Sequence, residues 1–219
     1  MSELPETSRR PVGSRNTGWA AAIAGWLARR GVRPNTISLM SVVFGALAGG
    51  CLVLAGRQDA ALTRIGCLLG AAASIQLRLL CNLFDGMVAV EHGMKSKSGE
   101  IFNELPDRFA DLFILLGAGF VDDLAWSVQL GWCAATLAVL TAYVRALGAS
   151  AGAGQHFLGP MAKQHRMAAM TICCLLGIVS VASAWNLPIM SWGLGLIIIG
   201  NLITIARRTV RIVRTLESA

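Results

Sequence analysis

Six stretches of about twenty mostly apolar residues run through the sequence, at 36–54, 60–83, 101–121, 126–147, 167–184 and 189–206. A helix of roughly 20 apolar residues crosses the hydrocarbon core of a bilayer. Backbone amides and carbonyls find no water there, so a spanning segment of this length has to be helical. The pattern predicts an all-α, polytopic membrane protein with six transmembrane helices. Composition agrees. Only 14% of the residues are charged and mean hydropathy is +0.61, whereas ordinary soluble domains carry about 25% charged residues.

The flanks give the organisation. Residues 1–18 form a polar N-terminal tail without the apolar core of a signal peptide. Residues 19–30 read as an interfacial amphipathic helix with Trp19 and Trp26 at headgroup depth, ending at Arg29 and Arg30. Pro34 breaks that helix, and Asn35 or Thr36 caps the first span. A membrane domain is expected over 19–206, followed by a basic tail at 207–219. In that tail Arg207, Arg208, Arg211 and Arg214 recur at helical spacing, which reads as a snorkelling surface helix.

Six spans put both termini on one side. That side collects Arg9, Arg10, Arg15, Arg29, Arg30, Arg33, Lys95, Lys97, Lys163, Arg166 and the four tail arginines, while the other holds Arg57 and Arg64. Basic residues concentrate on the cytoplasmic side of membrane proteins, so both termini are expected there. The same bias explains the net charge of +7 without nucleic acid, for which no aromatic-interleaved basic patch exists. Cys51, Cys67, Cys81, Cys133, Cys173 and Cys174 lie in apolar runs with no C-x-x-C spacing, so they read as small hydrophobes, not zinc ligands or disulfides.

Against this apolar background one block stands out, NLFDGMVAVEHGMKSKSGEIFNELPDRFAD, from Asn82 to Asp111. Ionisable groups inside a span are costly and by default mark a function. Asn82 and Asp85 share one face of the second span. After a Gly/Lys/Ser turn, Glu100, Asn103, Glu104, Asp107 and Asp111 fall at three- and four-residue steps on one face of the third. Carboxylate and amide oxygens together suit Mg²⁺, Mn²⁺ or Ca²⁺ better than zinc. The competing reading is a helix-end salt-bridge network, with Glu104–Arg108 and Arg108–Asp111 in register. Arg145, Lys163 and Arg166 lie toward the same side, where they suit phosphate or acceptor binding or simply follow the charge bias. His92 and His165 read as loop residues.

The block resembles the signature of the CDP-alcohol phosphatidyltransferase family, D-x-x-D-G-x-x-A-R followed at fixed distance by G-x-x-x-D-x-x-x-D. Asn82, Asp85, Gly86, Ala89 and Val90 fill the first half; Gly99, Asn103 and Asp107 fill the second without a gap. Pro34 to Ser38, Tyr143 to Arg145, and Lys163 extend the resemblance over most of the chain. A second alignment takes Asp107 and Asp111 as the final pair, with Asn103 in place of the second glycine.

The resemblance implies a six-helix membrane enzyme of phospholipid synthesis. Such an enzyme moves a substituted phosphate from a CDP-linked lipid donor, commonly CDP-diacylglycerol, to a small alcohol acceptor and releases CMP. It implies divalent ions held by Asn82, Asp85, Asn103 and Asp107, with Asp111 and Glu100 available on the same face. Asp107 would be the base on the acceptor hydroxyl, and Gly86, Ala89 and Gly99 would let the nucleotide approach closely. It also implies a homodimer in a bacterial inner membrane, with the site facing the cytoplasm. Two signature aspartates are asparagines here and the signature arginine is Val90, so the site carries two fewer negative charges. Two other readings remain: a non-catalytic relative that binds nucleotide-lipid or scaffolds other enzymes, and a small cation transporter.

Overall fold

The computed structural model describes residues 17–91, 93–94 and 98–218, with Glu91 and Glu100 described by their backbone alone. The expectations for Arg9, Arg10, Arg15, His92, Lys95, Lys97 and the Glu100 side chain lie outside the described residues. Among those described there are seven helices and no strand: α1 (Gly18–Arg29), α2 (Pro34–Gly56), α3 (Ala61–Glu91), α4 (Gly99–Ala118), α5 (Ser127–Ser150), α6 (Lys163–Ala182) and α7 (Ile189–Glu217).

Each expected span corresponds to one helix, and α1 corresponds to the amphipathic segment. Five helices, α2, α3, α5, α6 and α7, are long and apolar enough to cross a membrane. The exception is α4, whose 20 residues include Glu100, Glu104, Asp107, Arg108 and Asp111. Two helices outrun their apolar stretches. The α3 helix continues through Asn82 and Asp85 to Glu91, so Gly86 and Ala89 are helical. The α7 helix continues without a break past residue 206. Arg208, grouped by sequence with a surface tail, is buried and donates from Nε to the Leu158 carbonyl (2.9 Å) and from Nη1 to the Thr141 carbonyl (2.6 Å).

Packing follows from small residues. In lipid there is little hydrophobic drive between helices, so close backbone approach supplies the attraction. α2 packs against both α3 and α4. A Cβ added to Gly49 would lie 2.4 Å from the Phe113 carbonyl oxygen, and one added to Gly117 would lie 2.5 Å from the Gly49 carbonyl oxygen. Only glycine permits that crossing. Leu52, Leu68, Ile75, Ile114, Leu115, Met167, Met170, Leu194 and Ile197 fill the interior between α2, α3, α4, α6 and α7. Leu47, Leu69, Trp132, Leu175 and Leu196 face outward, as lipid-facing positions do. α1 lies across the polar end of α3, with Ala20 and Ala24 against Phe84, Met87 and Val88. The Trp19 ring meets Phe84 edge-on at 6.2 Å. The six cysteines are free thiols; Cys173 and Cys174 are buried, whereas Cys133 is exposed.

Candidate active site

The polar faces of α3 and α4 converge on one cavity of about 710 Å³, closed by the start of α2, the end of α5 and the start of α6. Its lining includes Asn82, Asp85, Gly86, Ala89 and Val90 from α3, and Gly99, Asn103, Glu104 and Asp107 from α4. Arg145, Lys163 and Arg166 complete it. These residues from four helices, far apart in sequence, thus share one space of the size that small-ligand sites have. Asp111 does not line the cavity; it lies buried beneath it.

Asp85 is buried, and its Oδ2 accepts a 2.6 Å hydrogen bond from Ser38 Oγ at the start of α2. Its Oδ1 is buried without a hydrogen-bond partner, as is Nδ2 of Asn82 one turn earlier. Oxygen and nitrogen of an amide are assigned from their surroundings, and rotating the Asn82 amide would present its oxygen instead. A buried carboxylate oxygen with no donor is costly, and a hard cation would satisfy it. Among the described residues no three His, Cys, Asp or Glu side chains are grouped to hold a metal. Carboxylates alone do not make a metal cage here, and the amides of Asn82 and Asn103 add hard oxygen donors on the same cavity wall as Asp85. The residues fit a divalent ion centred on Asp85.

Asp107 and Asp111 are otherwise engaged. Asp107 accepts from Lys163 Nζ on Oδ2 and from Arg78 Nη2 at 3.3 Å on Oδ1. Asp111 accepts from Arg78 Nη2 at 2.6 Å on Oδ1 and from Arg166 Nη2 at 2.6 Å on Oδ2. Arg166 also donates to the Met161 carbonyl at 3.0 Å. Arg78, Arg166, Asp107 and Asp111 are each 2% exposed or less. Part of the salt-bridge reading therefore holds, in altered form. Glu104 pairs with Arg108 (3.0 Å) as the spacing predicted, and also with Arg145 (2.5 Å). The expected Arg108–Asp111 pair gives way to Arg78 and Arg166, because Asp111 points into the bundle and these arginines reach it from α3 and α6. Arg145 further meets Gln155 Oε1 at 3.2 Å and the Phe157 ring at 5.2 Å. His165 falls in the first turn of α6, where its Nδ1 meets the Pro160 carbonyl at 2.7 Å.

Sequence reasoning missed Arg78. The signal was there: it is the sole charged residue between Arg64 and Asp85 in an otherwise apolar helix, and an arginine in a span needs a partner.

Three solved structures share this arrangement of helices, all of Mycobacterium tuberculosis phosphatidylinositol phosphate synthase (PgsA1). The form with CDP-DAG bound matches with a TM-score of 0.68 at 20% identity, covering 88% of this chain and 92% of that one. The complex with manganese and citrate matches at 0.69 and 20% identity over 88% of each chain. The apo form matches at 0.68 and 18% identity, over 87% and 94%. This chain has the fold of that synthase. It is the fold that the signature resemblance implied. No protein-family model and no curated protein matches the sequence. Within the synthase fold, the signature positions of α3 and α4 in this chain face one another across the cavity.

Proposed function

We propose that this chain is a membrane phosphotransferase that moves a substituted phosphate from a CDP-linked lipid to an alcohol, with release of CMP. The observation that carries the reading is the convergence of Asn82, Asp85, Gly86, Ala89, Gly99, Asn103 and Asp107 on one cavity whose wall holds the unpartnered Oδ1 of Asp85. The donor is CDP-diacylglycerol, the lipid bound in the synthase of like fold. Gly86, Ala89 and Gly99 present little bulk to the nucleotide, so backbone and base can approach closely. A Mg²⁺ or Mn²⁺ ion held by Asp85, Asn82 and Asn103 would neutralise charge on the diphosphate.

The remaining chemistry falls to side chains. Asp107 lines the cavity, held by Lys163 and Arg78, where its carboxylate would take the proton of the acceptor hydroxyl as the oxygen attacks the lipid-bearing phosphorus. The anhydride bond to CMP then breaks. Arg145 and Lys163 offer cationic donors to phosphate oxygens of donor or acceptor, and Arg166 fixes the floor beneath them.

The charge asymmetry of the loops supports six crossings, α4 included, with both termini and the cavity on the cytoplasmic side. The polar face of α4 turned into the bundle is what would make its crossing tolerable. The setting is a bacterial inner membrane, and the family resemblance supports a homodimer.

The test is CMP release from CDP-diacylglycerol by the purified protein, with a panel of polar alcohols and either Mg²⁺ or Mn²⁺. Asp85→Asn should abolish it, and Asp107→Asn should lower it by about 10²- to 10⁴-fold. Release at the unaltered rate in both variants overturns the reading. The asparagines at 82 and 103 favour one alternative, a nucleotide-lipid binder without turnover. Metal-dependent CDP-diacylglycerol binding with no CMP release from any acceptor would identify it.

A further inference from the structure

The family resemblance implies four signature aspartates around two divalent ions. This chain presents a different balance. Asp85 and Asp107 are the signature carboxylates that remain, and both oxygens of Asp107 already accept from protein cations, Arg78 on one and Lys163 on the other. Asp85 Oδ1 is buried at the cavity wall and unpartnered. Arg78 does not line the cavity; it sits behind Asp107, 0% exposed, bridging Asp107 to Asp111. A second divalent ion on Asp107 would have to displace Lys163 and lie against this buried guanidinium. Charges of like sign repel strongly where water is excluded.

We propose that the site binds one divalent ion, on Asp85 and Asn82, and that Arg78 is a positioning residue whose fixed charge holds Asp107 where a second ion would otherwise be needed. This rests on the phosphotransfer reading and narrows it. The losses at 82 and 103 and the arginine at 78 then form one compensated set. Removing two negative charges removes the attraction for the second ion. The buried guanidinium orients Asp107 without touching substrate. Guanidinium suits the task because it is planar, remains charged and can serve two carboxylates at once.

The experiment is a Mn²⁺ titration of the full chain purified in detergent, with free Mn²⁺ read by electron paramagnetic resonance. One tightly bound ion per chain is expected, and none in Asp85→Asn, which keeps the side chain's size. Arg78→Met takes one of two cationic partners from both Asp107 and Asp111, and it is combined with Asn82→Asp and Asn103→Asp to restore the carboxylates of the signature. That triple variant should bind two ions. Two ions or none in the unaltered protein overturn the proposal, as does an ion retained in Asp85→Asn. A triple variant that stays at one ion overturns the role of Arg78. The outcomes separate from those of the parent reading. Two ions with CMP release would sink the single-ion assignment alone, whereas one ion without CMP release would sink phosphotransfer alone.

Discussion

Arg78 on α3 and Asp111 on α4 meet through a 2.6 Å ion pair shut off from both the cavity and the exterior. Arg166 of α6 takes the other oxygen of Asp111 at the same distance. Three helices are thus joined through one carboxylate at the floor of the site. Burying such charges costs much of what their attraction returns, but removing one partner leaves the other stranded.

Arg166→Met should therefore destabilise the protein by about 3–5 kcal/mol, the range for breaking a buried pair. Thermal unfolding in detergent, set against the unaltered chain, measures it. A shift within error would mean that the floor is not held by charge.

The Glu104–Arg145 pair should behave differently. Its side chains are 37% and 13% exposed, and exposed pairs contribute roughly 0–1 kcal/mol. A double-mutant cycle with Glu104→Gln and Arg145→Met should give a coupling energy in that range. Arg145→Met should still raise the KM for the phosphate-bearing substrate, with kcat changed less, if the side chain binds the ground state and transition state alike.

Asp107→Asn keeps shape but removes the proposed base. CMP release should fall by about 10²- to 10⁴-fold, the usual contribution of a positioned acid or base. CDP-diacylglycerol binding, measured separately, should persist. Chelating divalent ions should stop turnover in the unaltered protein, and Mg²⁺ or Mn²⁺ should restore it.

Gly49→Val places two methyl groups where the Phe113 carbonyl oxygen already lies 2.4 Å from an added Cβ. Overpacking of this kind typically costs about 1–3 kcal/mol, and the clash here is with backbone, which cannot rotate aside. The variant should show a lowered melting temperature. Gly50→Val, where nothing lies within 4 Å of an added Cβ, is the matched control.

Membrane orientation is open to single-cysteine labelling after replacement of the six native cysteines. Gln58→Cys, in the turn after α2, should react with an impermeant maleimide on intact cells. Ser218→Cys, beyond α7, should react only after lysis. Labelling of both from outside would contradict six crossings with cytoplasmic termini.

Much of this protein is local in its physics and so was legible in sequence. Twenty apolar residues in a row make a helix wherever lipid surrounds them, and three- and four-residue steps put Asn103, Asp107 and Asp111 on one face of α4 whatever α4 packs against. The spacing of Asp85, Gly99 and Asp107 carried a resemblance whose implied fold the backbone shares. The sequence by itself therefore determined the helices, their polar faces and the block in which the site lies. Only the tertiary structure decided what each carboxylate does. Asp107 and Asp111 are one helical turn apart, yet one reaches the cavity and the other lies beneath it. Arg78 and Arg166, 33 and 55 residues from Asp111, set that difference. An ion pair depends on where two side chains meet in space, and for residues on separate helices no sequence periodicity encodes that meeting.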